Sequence, residues 1–265
     1  MNCLYVRWRY SVLLVGMLSV CHCEADADRM AHMRLEPQGV LGQVEPVSRQ
    51  WYALGYSPEK RQPLWVAYRM KREDTYKSVE RKDNFRPDPQ VSNSPLRWDY
   101  YGTDFDKGHM APANDMLYRF EAMDDSFYMS NMSPQHYHVN RGVWERIESF
   151  VHDAVKRFGE IWIVSGPIFA DKGGPFAEIP IPGEDDVIKA QGGDIAVPVA
   201  FFKVLYTPAR GGMTLAFIVP NTRDETSNWR IYARSVRIAE VLTRIRFFPN
   251  VCDVDRNIDD LTRWY

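Results

Sequence analysis

The sequence predicts an α+β domain. Three observations carry this. Short runs rich in Val, Trp, Tyr and Phe recur along the chain and read as strands. One stretch, Val143 to Phe158, repeats apolar residues at helical spacing. Strand and helix patterns are mixed without regular alternation, which disfavours a doubly wound parallel sheet. Hydrophobic residues make up 45% of the 265, enough for a sizeable core. The net charge is -2. That balance does not announce a nucleic-acid binder, yet a local basic groove fits within a neutral total.

In chain order, residues 1–27 read as a signal peptide or N-terminal anchor. Arg7 and Arg9 precede the apolar run Ser11–Val20, and Ala25-Asp26-Ala27 offers a small-residue cleavage site. Lipidation at Cys21 or Cys23 and a retained anchor are the two alternatives, so a membrane enters only through an uncleaved or lipidated N-terminus. Export to the periplasm or the medium is the expectation. Cleavage after Ala27 leaves Cys252 as the mature chain's sole cysteine and hence no intramolecular disulfide.

Residues 28–49 read as a polar arm, and 50–265 as one domain. Gln50–Leu54 and Leu64–Met70 are strand patterns. Lys71–Gln90 alternates charges, contains Pro87 and Pro89, and reads as a surface excursion. Phe127-Tyr128-Met129 is a short element. A helix is expected from Asn140, with Val143, Trp144, Ile147, Val151, Ala154 and Phe158 on one face and Gly159 as its stop. Glu160–Ser165 is a strand ended by Gly166-Pro167. Gly173–Gly193 is irregular. Val197–Tyr206 and Met213–Val219 form a hairpin around Pro208–Gly212. Trp229–Phe247 has helical character, and Asn250–Tyr265 is a packed tail.

Chemistry concentrates between Asp106 and Glu148. His109 can take a proton near neutral pH. Gly108 beside it allows close approach of backbone and ligand, and Lys107 can meet an anion. Asn114 and Asp115 follow in one short loop. Asn140 has two readings: a helix N-cap, which Asn favours, or a metal ligand through its carbonyl oxygen, suiting a hard cation that keeps most of its waters. Asn140, Trp144 and Glu148 are spaced by four and climb one side of the helix. Glu148 is either a solvated surface acid or an acceptor for metal-bound water.

The order of motifs then carries a resemblance. Asp106-Lys107-Gly108-His109-Met110-Ala111-Pro112, Ser130-Asn131-Met132-Ser133-Pro134-Gln135 and Asn140-Arg141-Gly142-Val143-Trp144 follow one another, with Glu148 eight residues past Asn140. Around them stand Leu64–Tyr68, Ile163–Phe169, Val197–Val204 and Ala216–Asn221. The series resembles the DNA/RNA non-specific endonuclease family, the ββα-metal (His-Me finger) nucleases that include secreted bacterial enzymes and endonuclease G.

The resemblance implies the ββα-metal fold, with a central, mostly antiparallel sheet flanked by helices, and a hydrolase cutting DNA, with RNA as a second substrate, through the phosphate backbone, with little sequence specificity and 5′-phosphate products. It implies Mg²⁺ as cofactor, with Mn²⁺ as a substitute, and homodimers occur in the family. His109 matches the general base and Asn140 the direct metal ligand. Glu148 matches the acid holding a metal-bound water. Asn131 matches an asparagine near the scissile phosphate, and Asp106 a local organiser. Lys107 stands where the family usually has arginine and can contact phosphate only as a point charge. His152 stands where a second arginine is common. Arg141, Arg81 and Arg86 are the alternative cations. A non-catalytic binding module and a small-molecule phosphodiesterase are the competing readings.

Overall fold

The computed structural model describes residues 37–39, 43–169, 187–223, 228–249, 251 and 256–265. The 1–27 segment, all four cysteines and most of the Gly173–Gly193 stretch lie outside the described residues. A seven-stranded antiparallel sheet runs in the order β1 (Glu45–Ser48), β2 (Tyr52–Ser57), β3 (Gln62–Lys71), β6 (Glu160–Ile168), β9 (Ala200–Thr207), β10 (Met213–Pro220), β11 (Ala233–Arg234). β1 lies within the stretch read as an arm and pairs with β2 from Glu45↔Tyr56 to Ser48↔Ala53.

Side-chain alternation divides this sheet between two cores. On β3, Val66, Tyr68 and Met70 enter one cluster, while Trp65 and Ala67 enter the other. On β9, Phe201 and Leu205 face the first and Phe202 and Val204 the second. A sheet buried on both faces therefore reads as nearly unbroken apolar runs. The first core is roofed by α1 (Phe120–Ser126) and α2 (Glu145–Phe158). The second is covered by α3 (Val236–Thr243).

Two differences from the sequence pattern have local causes. β6 does not stop at Gly166-Pro167 but runs to Ile168. Its ladder to β3 ends at Val66↔Ser165, so the proline lies where β6 pairs with β9 alone. A Cβ on Gly166 would meet the Leu64 carbonyl and come within 2.7 Å of the Phe202 ring, so close packing explains that glycine. Trp229–Phe247 is not one helix. It divides into a 3₁₀ turn (Trp229–Tyr232), β11 and α3, because β10 offers an edge to which Ala233 and Arg234 pair. The tail packs as expected: Trp264 is buried, 5.6 Å from Phe158 between ring centroids.

A separate two-stranded ribbon positions the candidate site. β4 (Phe105–His109) pairs antiparallel with β5 (Met132–His136), from Phe105↔His136 to His109↔Met132. The chain then enters a π-type turn, Val139–Trp144, continuous with α2. Ile147, Val151, Ala154 and Val155 bury the inner face of α2, and Gly159 closes it at φ 89°.

Candidate active site

Ribbon and helix converge on a cleft of about 410 Å³. Asp106, Lys107 and His109 line it from β4, and Asn140, Arg141 and Glu148 from the turn and α2. Arg81, Phe85, Pro112, Ala113, Asn114 and Glu145 complete the wall. Asp106, Lys107, His109, Asn114, Asn140, Arg141 and Glu148, all singled out in the sequence, therefore meet in one place.

Asp106 ties the turn to the ribbon. Its Oδ2 accepts from Asn140 Nδ2 at 2.9 Å and from Arg141 Nε at 2.8 Å, and its Oδ1 from Arg141 Nη2 at 2.6 Å. Burial raises its carboxyl, but the bonds from Arg141 and Asn140 outweigh that and hold it below the usual range. A carboxylate only accepts, so the Asn140 amide must turn its nitrogen towards Asp106. The Asn140 carbonyl oxygen is thereby released from the ribbon. Asn140 is thus pinned from behind as metal ligands characteristically are. It occupies the π-type turn and makes no side-chain cap, so the N-cap reading gives way.

His109 is 9% exposed at the end of β4. The Phe85 and Phe127 rings lie 5.5 and 5.1 Å away. Its Nε2 is buried without a hydrogen-bond partner among the described residues. Burial, then the charges of Arg81 and Lys107, depress its pKa to about 3, so the imidazole is uncharged at neutral pH.

Gly108 has a different role from the one its neighbourhood suggested. It faces the Gln135 side chain across the ribbon, where a Cβ would stand 2.6 Å from Gln135 Cβ and closer still to Oε1. Lys107 Nζ sits 5.0, 5.8 and 5.4 Å from the Phe85, Tyr100 and Tyr101 ring centroids. Burial lowers its pKa.

Glu148 looks inward as well as to the cleft. Burial holds its carboxyl above the usual range, and the ammonium of Lys203 offsets only part of that rise. Lys203 is fully buried on β9, donates to Ser165 Oγ at 3.1 Å and lies 4.7 Å from the Trp144 ring. Beside them Asp115, 1% exposed, accepts from Tyr68 Oη at 2.7 Å and meets His152 Nε2 at 2.8 Å. Where the family has a second arginine, His152 answers a buried acid instead. Burial lowers the His152 pKa, but the Asp115 bond and charge outweigh it and leave the pKa raised.

Asn131 is corrected by the structure. It is fully buried, and its amide is saturated: Oδ1 accepts from Ala111 N, and Nδ2 donates to the Ala111 and Ser126 carbonyls, at 2.8 to 2.9 Å. It braces the loop after His109 rather than facing the cleft. Of the cations left unaligned, Arg81 lines the cleft while paired with Asp83 at 2.6 Å, whereas Arg86 lies outside its lining and pairs with Asp124 at 2.7 Å. Sequence reasoning missed Phe85 and Glu145, since no short motif marks either. It also missed Asp115 as a buried hub.

The donor set fits a hard cation. Asn140 offers a carbonyl oxygen, and Glu145 and Glu148 offer carboxylates from the same wall. No group of three His, Cys, Asp or Glu among the described residues forms a metal-binding cluster.

Comparison with known proteins gives the family. Residues 35–254 match the model of the DNA/RNA non-specific endonuclease family. Mitochondrial nuclease EXOG of Xenopus laevis is 34% identical over 231 residues, covering 77% of this chain and 61% of that protein. Human mitochondrial endonuclease G is 30% identical over 227 residues, covering 82% and 74%. The chain thus spans about 61% of the length of the frog relative. A solved complex of EndoG with EndoGI shares the fold at a TM-score of 0.71 and 22% identity, covering 85% of this chain and 91% of that one. These relatives are mitochondrial nucleases, which overturns the expectation of a periplasmic or secreted protein. The motif order along the ribbon and helix, and the match over 35–254, place this chain in the DNA/RNA non-specific endonuclease family.

Proposed function

We propose that the chain is a Mg²⁺-dependent endonuclease that hydrolyses phosphodiester bonds of DNA and RNA with little sequence preference. The observation that carries this is one cleft lined by an uncharged histidine, an asparagine whose amide is held from behind and several cations. His109 is the general base. Burial keeps its imidazole neutral, and the phosphodiester anion entering beside it raises its proton affinity at the moment of use. It takes a proton from water, the water oxygen attacks phosphorus, the bond to the 3′-oxygen breaks, and the departing oxygen takes up a proton from solvent water. The product ends are a 5′-phosphate and a 3′-hydroxyl.

Lys107, Arg81 and Arg141 meet the phosphate oxygens, which carry no sequence information, so specificity is low. Asp106 holds Asn140 and Arg141 in register with the ribbon. Mg²⁺, or Mn²⁺ in its place, would be held by Asn140, with Glu148 accepting from one of its waters, and would supply charge that stabilises the phosphorane-like transition state and the leaving oxygen.

The test is a digest of supercoiled plasmid and of RNA, with Mg²⁺ and with EDTA, followed by end-group analysis. Cleavage of both polymers, abolished by EDTA and leaving 5′-phosphates, is expected. Undiminished cleavage in EDTA, or intact polymers with Mg²⁺ present, would refute the proposal.

A further inference from the structure

The cleft has a neighbour on the same helix. Arg146, Ser149, Asp153 and Arg157 run along one side of α2 and line a second pocket, of about 450 Å³. Phe150, Trp229 and Trp264 give it a buried aromatic lining. The two hollows share a rim. Glu145 lines the cleft, Ser149 one turn on lines the pocket, and Ser149 Oγ donates to the Glu145 carbonyl at 3.0 Å. Arg230 reaches the pocket from the far side. Its Cζ lies 4.8 Å from the Trp229 centroid and 5.6 Å from that of Tyr265, and its Nε donates to Tyr265 Oη at 3.2 Å. The guanidinium is thereby oriented, as a fork that grips phosphate oxygens needs to be.

The pocket carries an excess of positive charge. Arg146, Arg157 and Arg230 are exposed on its wall. Asp153 is the one acid lining it among the described residues, and Lys156 Nζ stands 3.5 Å from that carboxylate. A nucleic-acid strand is a regular polyanion that extends well beyond a single cleft, so it must leave across a rim. Arg146 and Arg157 stand three turns apart on one stripe of α2, about 16 Å, which is the rise of roughly five nucleotides.

We propose that this pocket is a second phosphate-binding site for the substrate. It holds the backbone of a nucleic-acid strand a few nucleotides away from the bond that faces His109, with Arg157 and Arg230 as the contacts. This rests on the reading of the cleft as a nuclease site. Phosphate contacts of this kind add affinity and register without reading sequence.

The experiment compares kcat/KM on a long oligonucleotide with kcat/KM on a trinucleotide, too short to span from the cleft to Arg157. The wild type should favour the long strand. Arg157→Gln and Arg230→Gln should each lower that preference about fivefold, through KM, while Arg157→Lys and Arg230→Lys largely keep it. Binding of the long strand by His109→Ala protein supplies a second readout. Its log affinity falls linearly with log salt, and each lost phosphate contact should make that slope shallower by about 0.7–0.9. An unchanged preference or an unchanged slope would overturn the second site. An equal loss on both substrates would mark the arginines as structural and overturn it too. Failure of the wild type to cleave either substrate would instead overturn the underlying nuclease reading.

Discussion

Replacing Asp106 by asparagine keeps the side-chain shape and removes the charge that organises the cleft. In the native site the carboxylate accepts three bonds, two from Arg141 and one from Asn140. The Arg141 side chain is 70% exposed, so its pair contributes only about 0–1 kcal/mol. The Asn140 bond, to a more shielded acceptor, contributes about 1.5–3 kcal/mol at most. Stability should therefore fall modestly, by a few degrees in Tm.

With Asn140 as the proposed metal ligand, the larger effect is on metal binding. An amide at position 106 offers either a donor or an acceptor, so the Asn140 amide is no longer compelled to keep its oxygen free. Loss of such outer partners typically weakens metal affinity by roughly 10–100-fold. The assay is plasmid nicking titrated with Mg²⁺ at constant ionic strength. The half-saturating Mg²⁺ concentration should rise by roughly 10–100-fold, with maximal rate partly recovered at high metal. A titration curve superimposable on the wild type's would refute Asp106 as the organiser of a metal ligand.

Other consequences are accessible to simple measurements. Gly108→Ala forces a Cβ against Gln135 and should cost about 1–3 kcal/mol, seen as a lower Tm; an unchanged melt would mean the ribbon relaxes freely. His152 has a raised folded pKa, so its pairing with Asp115 stabilises fully below the unfolded value and is lost as pH rises through the folded one. The Tm deficit of His152→Gln should therefore be largest under mildly acid conditions and shrink in alkali, and a pH-independent deficit would contradict this.

The fold class and the site's axis were legible in the sequence because both rest on local pattern. The α2 stripe from Val143 to Phe158 and its Gly159 stop, and the β9–β10 hairpin, follow from periodicity and turn chemistry. What escaped depended on distant partners. Trp229–Phe247 reads as a helix until the edge of β10 claims Ala233 and Arg234. Gly166-Pro167 reads as a stop until Phe202 and the end of the β3 ladder make both residues acceptable inside a strand. The same holds in the site. The motif spacing brought out His109, Asn140 and Glu148, but could not tell that Asn131 is saturated by backbone groups of Ala111 and Ser126. Nor could it show that Arg81, rather than Arg86, reaches the cleft.

The central claim is that His109 supplies the base for phosphodiester hydrolysis. Its most direct test is cleavage of plasmid and RNA by His109→Ala protein that melts like the wild type. A positioned general base typically contributes roughly 10²–10⁴-fold, so the account predicts a rate lowered by that factor with Mg²⁺ dependence retained. A folded His109→Ala variant cutting at close to the wild-type rate would contradict it.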